Sequence, residues 1–263
     1  MKNLIDRFCR AVWTFKQPLT QVPLNPGAPV SDLFIWRNSD DWETFFELIN
    51  LPALFNEFEN PKHACTLVIF NSKGQKFLEK TIKIIPGRRF TLELSKLIDR
   101  NIGEEGTFSI FHSHTPQHLI SIGAHIAERG YVSYRFRRHP IRSYVHGNLD
   151  AIALLANQSL QLLGGQSILS RKYNLQYSFE KPNRFELGIV NPTPKKQKID
   201  CLVLSKEDTL IESQQVNLPS RGCHFFRIIP EHKQQRIVIS SKLVMGRPLV
   251  YRFHNKTLDV FHG

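Results

Sequence analysis

Short apolar runs separated by turn-forming residues are the main pattern along this chain. Aliphatic and aromatic residues cluster at 66–70, 77–85, 90–94 and 107–112, and glycine, proline, asparagine, lysine and serine lie between these runs. Runs of this length and composition, bounded by such turns, are typical of antiparallel β-strands. At this spacing they indicate a β-sandwich or a barrel. Residues 42–50 fit either a strand or the start of a helix, and the repeat described next favours a strand.

One short motif occurs twice. Tyr-Arg-Phe lies at residues 134–136 and again at 251–253, and a His-Gly pair follows each copy, at 146–147 and at 262–263. Four further blocks of similar sequence precede the two copies in the same order: 48–52 with 189–192, 65–69 with 201–204, 84–94 with 217–228, and 106–111 with 236–240. Collinear similarity of this kind is the test for an internal repeat. The alternative is that two β-rich segments look alike without duplication.

The repeat predicts a mainly all-β fold made of two tandem, internally duplicated antiparallel β-sandwich domains. An Asn-Pro turn after an early strand and a proline-containing turn before a middle strand resemble those of tandem immunoglobulin-like domains. The predicted boundaries place the two β-sandwich domains at 30–148 and 173–263, with a connector at 149–172. Residues 1–29 are predicted to form an amphipathic helix and a proline-rich linker.

The helix is predicted for residues 1–16. Apolar side chains recur there at helical spacing on one face, basic side chains lie opposite, and Pro18 ends the helix. We expect the helix to pack on the first domain. The alternatives are docking on an acidic membrane surface or on a partner protein.

The net charge indicates which kinds of partner the protein could bind, and the cysteine content indicates its cellular compartment. Lys and Arg total 35 and Asp and Glu total 23, which leaves a net charge of +12 on 263 residues. Such a charge favours polyanions, although it also suits a soluble basic protein without such a partner. No apolar stretch is long enough for a membrane span, and no secretory signal is expected. The four cysteines contain no Cys-x-x-Cys pair, which predicts reduced thiols in a cytoplasmic protein, with peripheral membrane attachment through residues 1–16 as the alternative.

The densest histidine cluster is His112, His114 and His118. Alternation along a strand would point His112 and His114 the same way, and His118 would add a third nitrogen, which suits a divalent metal. Gly106 before the His-x-His pair makes the segment resemble the first cupin motif, which implies a metal-dependent enzyme. The segment departs from that motif because His118 stands near the place of its glutamate, and the second cupin motif is not found in order. The alternative is a set of hydrogen-bonded histidines at a strand end.

The second cluster is basic and interleaved with aromatic residues. It contains Arg135, Arg137, Arg138 and Arg142. Arginine beside aromatic rings suits phosphate, stacked bases or an acidic sugar. The alternative is an aromatic core with arginines on a solvated face.

These patterns favour a non-catalytic binding or scaffolding protein with a basic surface for an acidic partner, which would be a glycan, a lipid headgroup of an anionic membrane surface, or a protein. No cofactor is predicted for that function. The alternatives are a metal-dependent cupin-like enzyme that uses the histidine cluster and a nucleic-acid binder that uses residues 135–142. No P-loop, nucleophile elbow or dinucleotide fingerprint is found in the sequence.

Overall fold

Strands dominate the structure. The computed structural model describes residues 18–55, 64–85, 87–147, 149–230, 235–254 and 257–263, so the predicted helix at 1–16 lies outside the described residues. The helical elements in those residues are α1 (Leu51–Phe55), α2 (Gln117–Ser121) and two 3-10 turns, Leu94–Lys96 and Arg100–Ile102. No helix in this part of the chain is long and apolar enough to cross a membrane.

The described strands, in chain order, are β1 (Val30–Ser31), β2 (Phe34–Arg37), β3 (Trp42–Leu48), β4 (Ala64–Asn71), β5 (Lys76–Lys83), β6 (Phe90–Glu93), β7 (Glu105–His112), β8 (Ala127–Glu128), β9 (Tyr131–Phe136), β10 (Ser143–His146), β11 (Ile152–Leu154), β12 (Leu160–Leu162), β13 (Gln166–Asn174), β14 (Arg184–Val190), β15 (Gln197–Leu204), β16 (Leu210–Leu218), β17 (Cys223–Ile228), β18 (Arg236–Leu243), β19 (Leu249–His254) and β20 (Thr257–His262). The ambiguous segment at 42–50 therefore contains strand β3.

These strands form five four-stranded sheets. In the order of hydrogen-bonded neighbours, sheet I is β12-β11-β1-β8, sheet II is β2-β7-β4-β5, sheet III is β10-β9-β3-β6, sheet IV is β13-β18-β15-β16 and sheet V is β17-β14-β19-β20. Neighbouring strands pair antiparallel throughout the described sheets, except that β1 and β8 run parallel. The architecture is all-β, a five-bladed β-propeller of small antiparallel sheets.

The prediction of two tandem immunoglobulin-like β-sandwich domains is therefore wrong. Apolar periodicity predicts where strands occur and which of their faces is buried, but it does not predict which strands hydrogen-bond to each other. Strands β11 and β12 lie within residues 149–172, and β11 pairs with β1 to form part of a separate sheet. The predicted domain boundaries, at 30–148 and 173–263, stay predictions.

The hydrophobic cores lie between neighbouring sheets. The largest core contains Trp36 of sheet II, Phe46 of sheet III and Tyr251 of sheet V, all fully buried. A second core lies between sheets IV and V, and a third brings Phe111 of sheet II against Ile152 of sheet I. Each sheet thus buries apolar side chains against a neighbour, which is the main source of stability in such a fold.

The two Tyr-Arg-Phe segments face each other across sheets III and V. They lie on β9 and β19, which hold the same place in the matching strand orders β10-β9-β3-β6 and β20-β19-β14-β17. The rings of Tyr134 and Tyr251 are 5.1 Å apart between centroids, and those of Phe136 and Phe253 are also 5.1 Å apart. Edge-to-face contacts of this kind add to the energy of apolar burial, so this aromatic packing fixes the two sheets against each other.

A buried ion pair joins β2 to β14. Arg37 Nη1 lies 2.7 Å from Glu186 Oε2, and the two side chains are 9% and 6% exposed. The Arg37 guanidinium lies over the rings of Trp42, at 3.8 Å from the centroid, and Phe225, at 4.3 Å. The cation is therefore held between aromatic faces, which are favourable partners for it when water is excluded.

Candidate functional site

His112, the first of the predicted metal ligands, is buried in a hydrogen-bonded chain. It is the last residue of β7; its Nε2 lies 2.8 Å from Glu128 Oε2 and its Nδ1 lies 3.3 Å from Cys65 Sγ. The three groups have the order of a nucleophile, a base and an orienting carboxylate. All three are buried, however, and burial, followed by the nearby charge of Glu128, raises the pKa of the Cys65 thiol well above its usual value. We interpret the trio as a structural link between β4, β7 and β8.

The other two predicted metal ligands, His114 and His118, lie outside this hydrogen-bonded chain. His114 lies beyond the end of β7, half-buried, with its Nδ1 3.0 Å from the hydroxyl of Ser113. His118 is exposed on helix α2. The described residues contain no group of three His, Cys, Asp or Glu side chains arranged to hold a metal ion. The structure therefore does not bring the three predicted ligands together, and the metal-dependent function stays a prediction.

Two of the predicted arginines, Arg135 and Arg142, meet on the outer side of sheet III. The β9–β10 register pairs Tyr134 with Ser143, which brings the neighbouring arginines to the same part of the sheet. Both guanidinium groups lie over Phe45 of β3, at 5.2 Å for Arg135 and 4.6 Å for Arg142. Phe45 is buried although it lies on the outer side of the sheet, because these side chains cover it.

A third arginine, Arg89, completes this surface. Its Nε donates to Glu47 Oε2 at 2.7 Å, Thr91 donates to the same oxygen at 2.9 Å, and Arg142 Nη1 lies 3.6 Å from Glu47 Oε1. Arg135 forms an ion pair with Glu43 in the same way. We call Arg89, Arg135 and Arg142, placed over Phe45, the arginine face; Tyr131 and Tyr144 are exposed beside it.

The Glu47 carboxylate lies beneath the guanidinium groups of the arginine face. Glu47 is 6% exposed, whereas Arg89 is 63% exposed. Burial works against the charge of Glu47, but the hydrogen bonds from Arg89 and Thr91 outweigh it and hold the pKa of that carboxyl below its usual value. The hydrogen bond from Arg135 likewise lowers the pKa of Glu43. Both carboxylates are thus ionised at neutral pH, and they fix the arginines in place.

Arg137 and Arg138 lie in the turn after β9, at the end of the sheet. Both have positive φ, 49° and 54°. Arg137 Nε lies 3.3 Å from Asp41 Oδ2, and Arg138 is exposed. The four predicted arginines therefore form two groups, and the turn group is not part of the arginine face.

Pattern reasoning missed Arg89, Glu43 and Glu47. Glu43, Phe45 and Glu47 alternate with Thr44 and Phe46 along β3, so the two glutamates and Phe45 share one side of that strand. This two-residue period could have predicted that the outer side of β3 carries charged residues. Arg89 precedes β6 by one position, and only the β3–β6 pairing brings it to Glu47.

A second polar cluster lies where β10 meets β20. The rings of His146 and His262 are 4.9 Å apart, and His262 Nε2 donates to the His146 carbonyl oxygen at 2.9 Å. A cavity of about 40 Å³ beside them is also lined by Asp32 and Arg247, which is room for one or two water molecules. Burial lowers the pKa of His262 to about 4, so this imidazole is neutral at physiological pH.

Comparison with known proteins does not place the chain in a family. No family model and no curated protein matches it. Solved structures that share a distant likeness include the following two. One is a β-glucuronidase from glycoside hydrolase family 2, with 12% identity and a TM-score of 0.16 over 93% of this chain and 26% of that one. The other is a glycosyl hydrolase family 2 member from Bacteroides cellulosilyticus DSM 14838, with 8% identity and a TM-score of 0.16 over 95% and 30%. The chain spans less than a third of each, and a TM-score this low supports no argument about function.

Proposed function

We propose that this protein is a non-catalytic binding module whose arginine face docks an acidic partner, either an acidic glycan or an acidic protein segment. The observation that carries the proposal is the layering of the face: the buried Glu47 carboxylate lies below and the exposed Arg89 guanidinium lies on top. A partner meets the arginines first, although each of them is paired. The underlying carboxylates hold the guanidinium groups in fixed positions, which reduces the entropy lost on binding.

The chemistry of the exposed layer fits carboxylate and sulfate groups. A guanidinium presents a planar set of N–H donors that matches such groups bidentately. Glu47 accepts a hydrogen bond from the Nε of Arg89, and the Arg89 side chain stays 63% exposed to a partner. Tyr131 and Tyr144, both exposed at the edge, offer flat rings for the apolar side of a sugar or a side chain.

The buried thiols support the non-catalytic assignment. Burial raises the pKa values of Cys65, Cys201 and Cys223. A thiol must ionise to act as a nucleophile, and these three stay protonated inside the protein.

The test is binding of a fluorescein-labelled, heparin-derived oligosaccharide, followed by anisotropy at several salt concentrations. We expect the double variant Arg89→Gln, Arg142→Gln to bind at least about tenfold more weakly, because two charge-assisted hydrogen bonds are lost. Its salt dependence should also become shallower. Glutamine keeps a donor for Glu47, so the fold is retained, and thermal unfolding checks this.

The matched control is Arg252→Gln. Arg252 holds the place in β19 that Arg135 holds in β9, and it pairs with Asp259. This variant should bind like the native protein. If the Arg89, Arg142 variant binds as tightly as the native protein, or if Arg252→Gln loses as much, the arginine face is not the docking site.

A further inference from the structure

A second basic surface lies on the outer side of sheet IV. We call it the lysine face, and its exposed members are Lys172, Lys195, Lys196, Lys198 and Lys242. Along β15 the side chains of Ile199 and Cys201 are buried, so Lys198 points outward. The β15–β18 register pairs Ile199 with Ser241, which sets Lys242 beside Lys198. Like charges opposite each other on neighbouring strands destabilise a sheet, so folding alone does not account for this pair.

The turn before β15 is built to present two of these lysines. The carbonyl oxygen of Lys195 accepts hydrogen bonds from Asn191 Nδ2 at 2.9 Å and from Thr193 Oγ1 at 3.0 Å. Gln197 Nε2 donates to the same Thr193 hydroxyl at 2.9 Å. Asn191, Thr193 and Gln197 are all buried. This buried network fixes the turn, and Lys195 and Lys196 project from it into solvent.

Positive charge dominates the lysine face. The β13–β18 register pairs Lys172 with Ser240, and Ser240 in turn pairs with Asp200. Asp200 is the one carboxylate that the described strand registers place among these lysines. Its Oδ1 lies 3.9 Å from Lys198 Nζ. The same oxygen accepts a hydrogen bond from the Gln215 side chain. Five lysines therefore stand against one carboxylate, in contrast to the paired charges of the arginine face.

Exposed aliphatic side chains lie at the same edge. The β13–β18 register runs from Gln166 opposite Leu243 to Arg171 opposite Ser241, so residues 167–170 bulge out opposite Lys242. Ile168 and Leu169, in this bulge, are 58% and 67% exposed. Apolar residues in a protruding bulge beside lysines form an amphipathic surface. Nucleic acid or an acidic glycan would bind through the lysines and would not need these exposed aliphatic side chains.

The described chain also begins at this edge. The Gly165 amide, one residue before β13, donates to the Leu19 carbonyl oxygen at 2.8 Å. Leu19 and Gly165 therefore lie side by side just before the bulge.

We propose that the lysine face and the Ile168–Leu169 bulge dock this protein on an anionic lipid bilayer. The lysines are attracted to acidic headgroups, and the two aliphatic side chains enter the interface between headgroups and acyl chains. The inference does not depend on the proposed function, because it concerns a different sheet.

The test is flotation of the full-length protein with phosphatidylcholine vesicles that contain about one-third phosphatidylserine, a fraction chosen to give a strongly negative surface. Pure phosphatidylcholine vesicles are the neutral control. We expect binding only to the anionic vesicles. Lys198→Gln, Lys242→Gln should weaken it about 25-fold, at roughly fivefold for each lysine near an acidic surface. Ile168→Ser, Leu169→Ser should weaken it about tenfold or more, because the two serines bury no apolar area.

Matched controls separate this surface from total charge and from the arginine face. Lys80→Gln, Lys83→Gln removes two exposed lysines from β5 and should bind vesicles normally, as should Arg89→Gln, Arg142→Gln. The proposal is overturned if the native protein does not float with the anionic vesicles, or if it floats equally with neutral ones. It is also overturned if the Lys80, Lys83 variant loses as much as the Lys198, Lys242 variant. If the native protein does not bind vesicles and the Lys198, Lys242 variant loses heparin binding, the lysine face binds a soluble polyanion and the membrane proposal is wrong.

Discussion

The ion pair between Arg37 and Glu186 gives the sharpest prediction about stability. Glu186→Gln keeps the shape of the side chain but leaves the Arg37 cation buried without its 2.7 Å carboxylate partner. Breaking a buried pair in this way costs about 3–5 kcal/mol. We expect the lower end of that range, because Glu105 faces Arg37 in the β2–β7 register and is the nearest substitute. Burial raises the pKa of Glu105, so this substitute compensates only in part.

The measurement is urea unfolding followed by tryptophan fluorescence, since the Trp42 ring lies on the Arg37 guanidinium. A loss of about 3 kcal/mol corresponds to a fall of about 6–12 °C in Tm for a chain of this size. Asp259→Asn is the control, because its pair with Arg252 is exposed and should be worth less than about 1 kcal/mol. The double variant Arg37→Met, Glu186→Leu should recover most of the loss, since it removes both charges of the pair. If Glu186→Gln costs no more than Asp259→Asn, the burial argument is refuted.

Two other predictions concern titration and thiol access. Burial lowers the pKa of His262 from its usual 6.5 to about 4, so the unfolded state binds more protons between those values. Stability should fall as the pH drops through this window, by less than the roughly 3 kcal/mol that the full shift would give, because solvent screens this half-buried ring. His262→Gln should flatten that part of a stability profile measured by urea unfolding from pH 7 to 4, and an unchanged slope would contradict the assignment. Cys65, Cys201 and Cys223 are buried and should not react with a disulfide reagent in the native protein, so absorbance should report at most one thiol, from Cys9, until urea is added. Rapid native labelling of two or more thiols would show that the cores open.

Some of the fold could be predicted from the chain alone, and the reason is local. Strand β3 alternates buried Phe46 with outward Glu47, and β15 alternates Ile199 with Lys198. Such alternation follows from the two-residue period of a strand and needs no knowledge of partners. The grouping of strands into five sheets depends on pairings between distant segments, such as β1 with β11. No local pattern carries that information, and the two-sandwich prediction failed for this reason.

The candidate sites also combine features that a local sequence pattern predicts with features that depend on pairing between distant strands. Arg135 and Arg142 belong to one cluster in the sequence and to one face in the structure, because β9 and β10 are neighbours joined by a short turn. Arg89 joins them only through the pairing of β3 with β6. The shared direction predicted for His112 and His114 assumed a strand through both residues, whereas β7 ends at His112. His112 then turns to Glu128, a partner that alternation along one strand cannot identify.

The ring contacts between β9 and β19 also have a consequence for dissection of this protein. Each half of the chain contributes one side of a continuous aromatic seam, with Tyr134 and Phe136 on one side and Tyr251 and Phe253 on the other. A fragment that ends between residues 149 and 172 would leave its side of the seam open to water. Such fragments should be poorly soluble alone and should reassemble when mixed, and we expect the smallest autonomous unit of this protein to contain both copies of the motif.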